Sequence, residues 1–316
     1  MSTVSAPCLP PAAEHFDHPA LFYKDEQEYV AGTAAFVREG LAAGDPVAVA
    51  VPAANLALIR AELGAQAGQV RLLDMEQAGR NPGRIIPRVL RAFADSHPTR
   101  RARIIGEPIW PGRTPAEYPA CAQHEALINL AFEGRGVTIL CPYDATRLTE
   151  PVLADALATH PTVIRSGTVQ RSRHFAPTAL VARYNEPLPA PPGVVATVFT
   201  KATLTAVRRY ATAWAARLGL GEDRLGDFEL AVGELTTNSV VHGGEEGRLR
   251  LWWEDGQVVF EVHDDGVLTD PLAGRHLPAR DQLGGRGLLL VNVVADLVRT
   301  HSAPGHGTTI QVYFRA

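Results

Sequence analysis

Around Asp227–His242 (DFELAVGELTTNSVVH), apolar residues fall at Leu225, Phe228, Val232 and Leu235, spaced three, four and three apart. That spacing predicts a helix with one apolar face for packing on a sheet. Beside this face run Glu234, Asn238 and His242, four residues apart and so stacked along one edge. Upstream, Val194–Phe199 reads as a strand, and Thr200 as the N-cap of a helix over Lys201–Leu218. The apolar positions Leu204, Val207, Tyr210 or Ala211, and Trp214 form the core face of that helix. Downstream, Arg248–Trp253 and Gln257–Val262 flank Glu254-Asp255-Gly256, a hairpin signal. An apolar helical run, Leu288–Leu297, and a terminal strand, Ile310–Phe314, complete a two-layer α/β sandwich with helices over one mixed sheet.

The first half of the chain alternates strand and helix patterns. Short apolar runs at Ala20–Tyr23, Pro46–Val51, Val70–Leu73, Arg103–Ile105 and Val137–Leu140 predict strands. Helical patterns lie between or after them at Gln27–Ala42, Ala53–Leu63, Gly83–Ala94, Ala116–Phe132 and Pro151–Ala158. Such alternation argues for a mostly parallel sheet covered on both faces, with ligands outside the carboxyl ends of the strands. Those ends carry Asp74, Glu107, Trp110, Tyr143 and Asp144. Residues 1–17, rich in Pro, Ala and Ser, read as a loose tail, and 166–193, ending in Leu188-Pro-Ala-Pro-Pro-Gly193, as a linker. Two units follow, 18–165 and 194–316.

Three glycine-centred turns succeed the Glu234–His242 edge in order: Asp264-Asp265-Gly266, Gly284-Gly285-Arg286-Gly287-Leu288, and Gly305-His306-Gly307-Thr308-Thr309. Glycine is needed wherever φ is positive or backbone must approach closely, so each turn alone is ordinary. Together they have a chemical meaning. A glycine-rich turn opening a helix offers free N–H groups to phosphates. An aspartate at a strand end can accept a hydrogen bond from an adenine amino group. One amide oxygen suffices to anchor a magnesium ion that keeps most of its waters.

With these motifs, residues from about 194 to 316 resemble the GHKL ATPase domain, specifically its RsbW-like branch of anti-sigma-factor serine/threonine kinases. The match rests on Glu234-Leu-Thr-Thr-Asn238-Ser-Val-Val-His242, Asp264-Asp-Gly266, Gly285-Arg286-Gly287-Leu288 and Gly307-Thr308. The resemblance implies a Bergerat two-layer fold that binds ATP and Mg²⁺. In it Asn238 would coordinate Mg²⁺, Asp264 and Gly266 would read adenine, and Gly285, Arg286, Gly287 and Leu288 would wrap the phosphates. Gly307 and Thr308 would border the base pocket, and Glu234 would be the general base. The implied partners are a sigma factor and a STAS-domain anti-anti-sigma factor. Leu268 stands where the family often has the second glycine of Asp-x-Gly-x-Gly. Residues 18–160 resemble the MEDS sensory domain, a RecA-like three-layer parallel-sheet fold. This likeness rests on Phe22-Tyr-Lys-Asp25, Phe36–Pro46, Gly106-Glu-Pro-Ile-Trp110-Pro-Gly112 and Cys141-Pro-Tyr-Asp144. It implies signal input, with Trp110, Tyr143, Glu107 and Asp144 as candidate pocket residues.

Composition narrows the classes further. The 316 residues carry a formal net charge of −4 and no long basic run, so nucleic-acid binding has no electrostatic footprint. Cys8, Cys121 and Cys141 are far apart and odd in number, which reads as neither a disulfide framework nor a zinc site and fits a reducing compartment. No apolar run approaches membrane-spanning length, so a cytoplasmic protein is expected. His124-Glu125 superficially matches a histidine-kinase phosphoacceptor, but it lies inside the first α/β unit, so His124 is expected to pack rather than react. His174 is likewise expected to be inert, and His242 to close its helix. An ATP-responsive sequestering module, the ATPase half of a split histidine kinase, and a homodimer stay open.

Overall fold

The computed structural model describes residues 15–276 and 285–316; Cys8, Gly284 and most of the expected tail lie outside them. The chain begins β1 (Pro19–Tyr23), α1 (Glu26–Ala43), β2 (Val47–Val51), α2 (Ala53–Leu63), β3 (Arg71–Asp74), α3 (Met75–Ala78) and α4 (Arg91–Asp95). It continues through β4 (Ala102–Gly106), α5 (Tyr118–Ala131), β5 (Val137–Asp144), α6 (Glu150–Thr159), β6 (Thr162–Arg165) and β7 (Thr168–Arg171). These strands form one sheet in the order β3-β2-β4-β5-β1-β6-β7, parallel except for β7 at its edge. Side chains alternate across a strand, so neighbours in sequence feed opposite cores. Ile104 and Ile139 pack with Met75, Phe93 and Phe132 on one face, while Ile105 and Leu140 pack with Tyr29, Val49 and Ile59 on the other. Burial on both faces explains why β2 reads as an unbroken apolar run.

Local chemistry sets most boundaries. Asp25 caps α1 by accepting from the Glu28 N–H at 2.8 Å, and Gly44 at φ 74° ends it. The helix expected over Gly83–Ala94 is instead a 3₁₀ turn at Pro82–Arg84, a π-type turn at Ile86–Leu90, and then α4. Pro87 lies inside the wide turn; with no N–H to donate it cannot keep a regular α ladder. Within the stretch read as linker, β7 pairs with β6, and α7 (Pro177–Arg183) buries Leu180 against Ala122, Ala126 and Ala158. Asp17 bridges to Thr138 beside β5 rather than lying in a free tail.

The second unit runs β8 (Thr197–Thr200), α8 (Leu204–Arg217), α9 (Glu222–His242), β9 (Glu246–Glu254), β10 (Gln257–Asp264), α10 (Gly287–Val294), β11 (Leu297–Ala303) and β12 (Gly307–Arg315). Its sheet order is β11-β12-β10-β9-β8, and every pair is antiparallel, so the expected mixed sheet is corrected. Asp255 and Gly256, at φ 46° and 76°, make the tight β9–β10 turn. Val207 and Ala211 of α8 are buried, whereas Tyr210 is exposed. Phe228 of α9 meets Phe260 and Phe314 of the sheet, with ring centroids 5.1 and 5.4 Å away. The opposite sheet face is covered too: Trp252, Val259, Leu297 and Tyr313 pack with Ala120 at the start of α5.

Candidate functional site

Three elements of the second unit converge on one edge of α9. Phe228, Val232 and Leu235 are buried, which turns Glu234 and Asn238 toward the margin of the helical layer, both half-buried. His242 is the last residue of α9 and exposed, consistent with a helix-closing position. Gly285, at φ 85°, and Arg286 lead into α10, which begins at Gly287. A methyl group on Gly287 would lie 2.6 Å from Glu234 Oε2 and 3.2 Å from Asn238 Nδ2. The backbone at the start of α10 therefore rests directly over these two side chains, and a larger residue at 287 would have to displace the Glu234 carboxylate. Leu288 follows, half-buried against the core, while Arg286 is exposed.

Asp264 ends β10 with both carboxylate oxygens oriented. Its Oδ2 accepts from Ser239 Oγ at 2.6 Å and its Oδ1 from the Gly266 N–H at 2.9 Å. Gly243 and Gly307 sit so close to Asp264 that a side chain on either would collide with it. Thr308, opposite Asp264 in the β10–β12 register, donates from Oγ1 to the Gly266 carbonyl at 2.8 Å and lies 2.8 Å from Ser302 Oγ. Ser302 Oγ in turn accepts from the Leu268 N–H. The predicted residues thus form two groups along α9: Glu234, Asn238 and Gly285–Leu288 at one position, Asp264, Gly266, Gly307 and Thr308 one turn further. Ser239, Gly243 and Ser302 complete the second group and were not expected as site residues. Ser239 directly follows Asn238, and the Gly243-Gly244 pair after the helix was a readable signal of close approach.

Family profiles match both halves. Residues 17–161 match MEDS, described as the MEthanogen/methylotroph, DcmR Sensory domain, and residues 197–314 match the histidine kinase-like ATPase domain. The chain is a MEDS domain joined to a histidine kinase-like ATPase domain. No curated protein matches the chain. An ATPase-like domain fused to a sensory domain makes this a signalling regulator, and no helix among the described residues is long and apolar enough to cross a membrane.

The MEDS domain touches the ATPase domain beside its glycine turns. Asn81 donates from Nδ2 to the Asn292 carbonyl of α10 at 2.8 Å, and Gly83 lies against the Asn292 side chain with no room for a Cβ. Arg80 pairs with Asp296 just beyond α10 at 3.1 Å. The segment after Leu268 also leans on the MEDS domain. Leu272 packs at the margin of its core, and Arg275, half-buried, points to the Pro82 carbonyl at 3.5 Å. Burial lowers the Arg275 guanidinium to about 10. A crevice of 290 Å³ runs between the domains, lined by Gln123 and Thr178 on one side and by Leu268, Arg275 and Leu288 on the other.

The four candidate pocket residues of the MEDS domain have different surroundings. Glu107 is buried and holds Tyr29 Oη at 3.0 Å and Asn55 Nδ2 at 2.9 Å; burial pushes its carboxyl up to about 8 against those hydrogen bonds. Asp144 caps a turn, accepting from the N–H groups of Thr146 and Arg147. Tyr143 lies inside the core on the opposite face, edge-on to His160. Trp110 is covered by the Arg113 guanidinium, 3.9 Å from the ring centroid. His124 is buried as expected for a packing residue, and His174 is exposed.

Proposed function

We propose that the ATPase domain binds Mg–ATP along α9 and acts as an RsbW-like serine/threonine kinase on a STAS-type partner, under control of the MEDS domain. The observation that carries this reading is the glycine cradle: the Gly287 backbone lies directly against the Glu234 and Asn238 side chains at the start of α10. Such a turn at the start of α10 directs N–H groups to where phosphates would lie, and Gly285, Arg286, Gly287 and Leu288 would wrap them. Asn238 would hold Mg²⁺ through its amide oxygen. Asp264, already positioned by Ser239 and Gly266, has acceptor capacity left for an adenine amino group, with Thr308 and Gly307 fixing the turn beside it. Bound Mg–ATP supplies the phosphoryl group and neutralises its charge. Glu234 would take the proton of the acceptor hydroxyl. Contacts from Asn81 and Pro82 to α10 and Arg275 supply a route for the sensory domain to bias the site.

Calorimetry with Mg–ATP tests the first step. Wild type should bind, and Asn238→Ala and Asp264→Asn should lose binding; no binding by wild type overturns the reading and leaves a sensor joined to a protein-binding domain. With partner added, an acid-stable phosphoprotein lost in Glu234→Gln supports the kinase. Partner release indifferent to that substitution means a sequestering module, and an acid-labile product means the ATPase half of a histidine kinase.

A further inference from the structure

A second chemical centre lies at the heart of the MEDS domain, away from the nucleotide cradle. His18 before β1, Glu125 on α5, Cys141 on β5 and His160 after α6 bring one ligand atom each to within 4.8 Å of the others. All four residues are at most 1% exposed. His160 Nε2 lies 3.1 Å and His18 Nε2 3.4 Å from Glu125 Oε2, and Cys141 Sγ is 3.4 Å from His18 Nε2. Neither Glu125 oxygen nor His160 Nε2 has hydrogen-bond geometry to any partner, despite this closeness.

The far side of each imidazole explains why. Asn129 donates its Nδ2 to the carbonyls of Ala126 and Thr159, which turns its Oδ1 to His18 Nδ1 at 3.3 Å. Nδ1 of His18 must then carry the proton. Nδ1 of His160 likewise faces the Ala156 carbonyl at 2.8 Å. Both Nε2 atoms therefore present lone pairs to a carboxylate. Three acceptors facing one another in an apolar core need a cation between them.

We propose that His18, Glu125, Cys141 and His160 bind a divalent transition-metal ion, zinc being the best match. Two imidazoles, a thiolate and a carboxylate are zinc's habitual donors, and tetrahedral bonding at its usual lengths separates ligand atoms by about 3.3–3.8 Å. The 3.1–3.4 Å separations already present fall close to this. Binding displaces the Cys141 thiol proton to solvent. The ion with one thiolate, one carboxylate and two neutral rings is then uncharged overall, which suits a buried site. The Nδ1–carbonyl contacts are the outer hydrogen bonds that metal-bound histidines make. Phe16 stacks 5.8 Å from the His18 ring and borders a surface crevice with Asn129 and Pro161.

The test uses the full chain, stripped with chelator and titrated with Zn²⁺ and with Co²⁺. One ion per chain is expected, with tetrahedral cobalt bands and a thiolate-to-cobalt charge-transfer band. Cys141→Ser should abolish the charge-transfer band, and Glu125→Gln should weaken binding at least about tenfold; Asn129→Ala, a positioning change, should weaken it about 10–100-fold. Cys121→Ser and Cys8→Ser should leave the spectrum intact. Circular dichroism of each variant separates lost binding from lost folding. If a variant does not fold, the wild-type spectrum with the Cys8 and Cys121 controls still decides which thiol binds. No stoichiometric binding, a spectrum without thiolate, or loss of the band in Cys8→Ser or Cys121→Ser overturns the proposal. None of these readouts depends on nucleotide binding.

Discussion

Helices α5 and α9 each present a glutamate on one face, and the two glutamates have opposite surroundings. α5 is buried almost all round, from Ala120 under the ATPase sheet to Ile128 in the MEDS core, so Glu125 has no access to water. α9 buries a single stripe, and Glu234 keeps one side half-open. A carboxylate at a wet edge can exchange protons and reorganise cheaply, as phosphoryl transfer to a protein hydroxyl requires. A carboxylate sealed in an apolar core survives only with fixed partners, and Glu125 faces the His18 and His160 rings at 3.4 and 3.1 Å.

That contrast can be broken by experiment, beginning where the effect is largest. In chelator-treated protein, Glu125→Ala should cost about 2–5 kcal/mol in urea denaturation, because it leaves a cavity in a sealed core. A loss below about 1 kcal/mol would mean that the core is wetter than described. Glu107 comes next. Its folded carboxyl titrates near 8 and its unfolded one near 4.5, so the folded state retains a proton that the unfolded state has released between those values. Stability then falls as pH rises through that window, by up to about 1.4 kcal/mol per pH unit, and is unaffected by this group outside it. Glu107→Gln should flatten the slope; an unchanged pH profile would place the effect elsewhere.

Smaller again is the tie between domains. Asn81→Ala should cost about 1–3 kcal/mol by leaving a buried carbonyl on α10 short of a donor. Calorimetry should show the two domains beginning to melt apart, and a single unaltered transition would count against a tight coupling. The smallest effect belongs to Glu234→Gln, expected within about 0.5 kcal/mol of wild type because its edge is half-open. A large loss there would remove the distinction between the two glutamates.

The ATPase half was more legible than its partner, for a physical reason. Its site residues are drawn from short contiguous motifs, since a helix edge and three turns place neighbours in sequence near one another in space. The apolar stripe Phe228, Val232 and Leu235 fell where periodicity put it, and α2 matched its expected bounds. The cluster of His18, Glu125, Cys141 and His160 is the reverse case. Its members come from four elements and no interval between them is characteristic, so spacing argued against zinc while the parallel sheet assembled a zinc-like donor set. His124-Glu125 drew attention for the wrong residue: His124 packs, and Glu125 points into the cluster. Pairings of β7 and the docking of α7 were equally hidden, because a polar edge strand and one buried leucine leave little periodic trace.

The hydrogen bond from Asn81 to Asn292 joins the sensory domain to α10, the helix opened by the Gly285–Gly287 turn. Coupling between two binding sites is reciprocal: whatever factor a signal imposes on nucleotide affinity, nucleotide imposes on the signal. If the ATPase domain binds nucleotide as proposed, a protein wired this way would not merely receive an input and act on it. Its threshold for noticing the input would drift with the energy charge of the cell, so that a starved cell and a fed one exposed to the same stimulus would register it at different strengths.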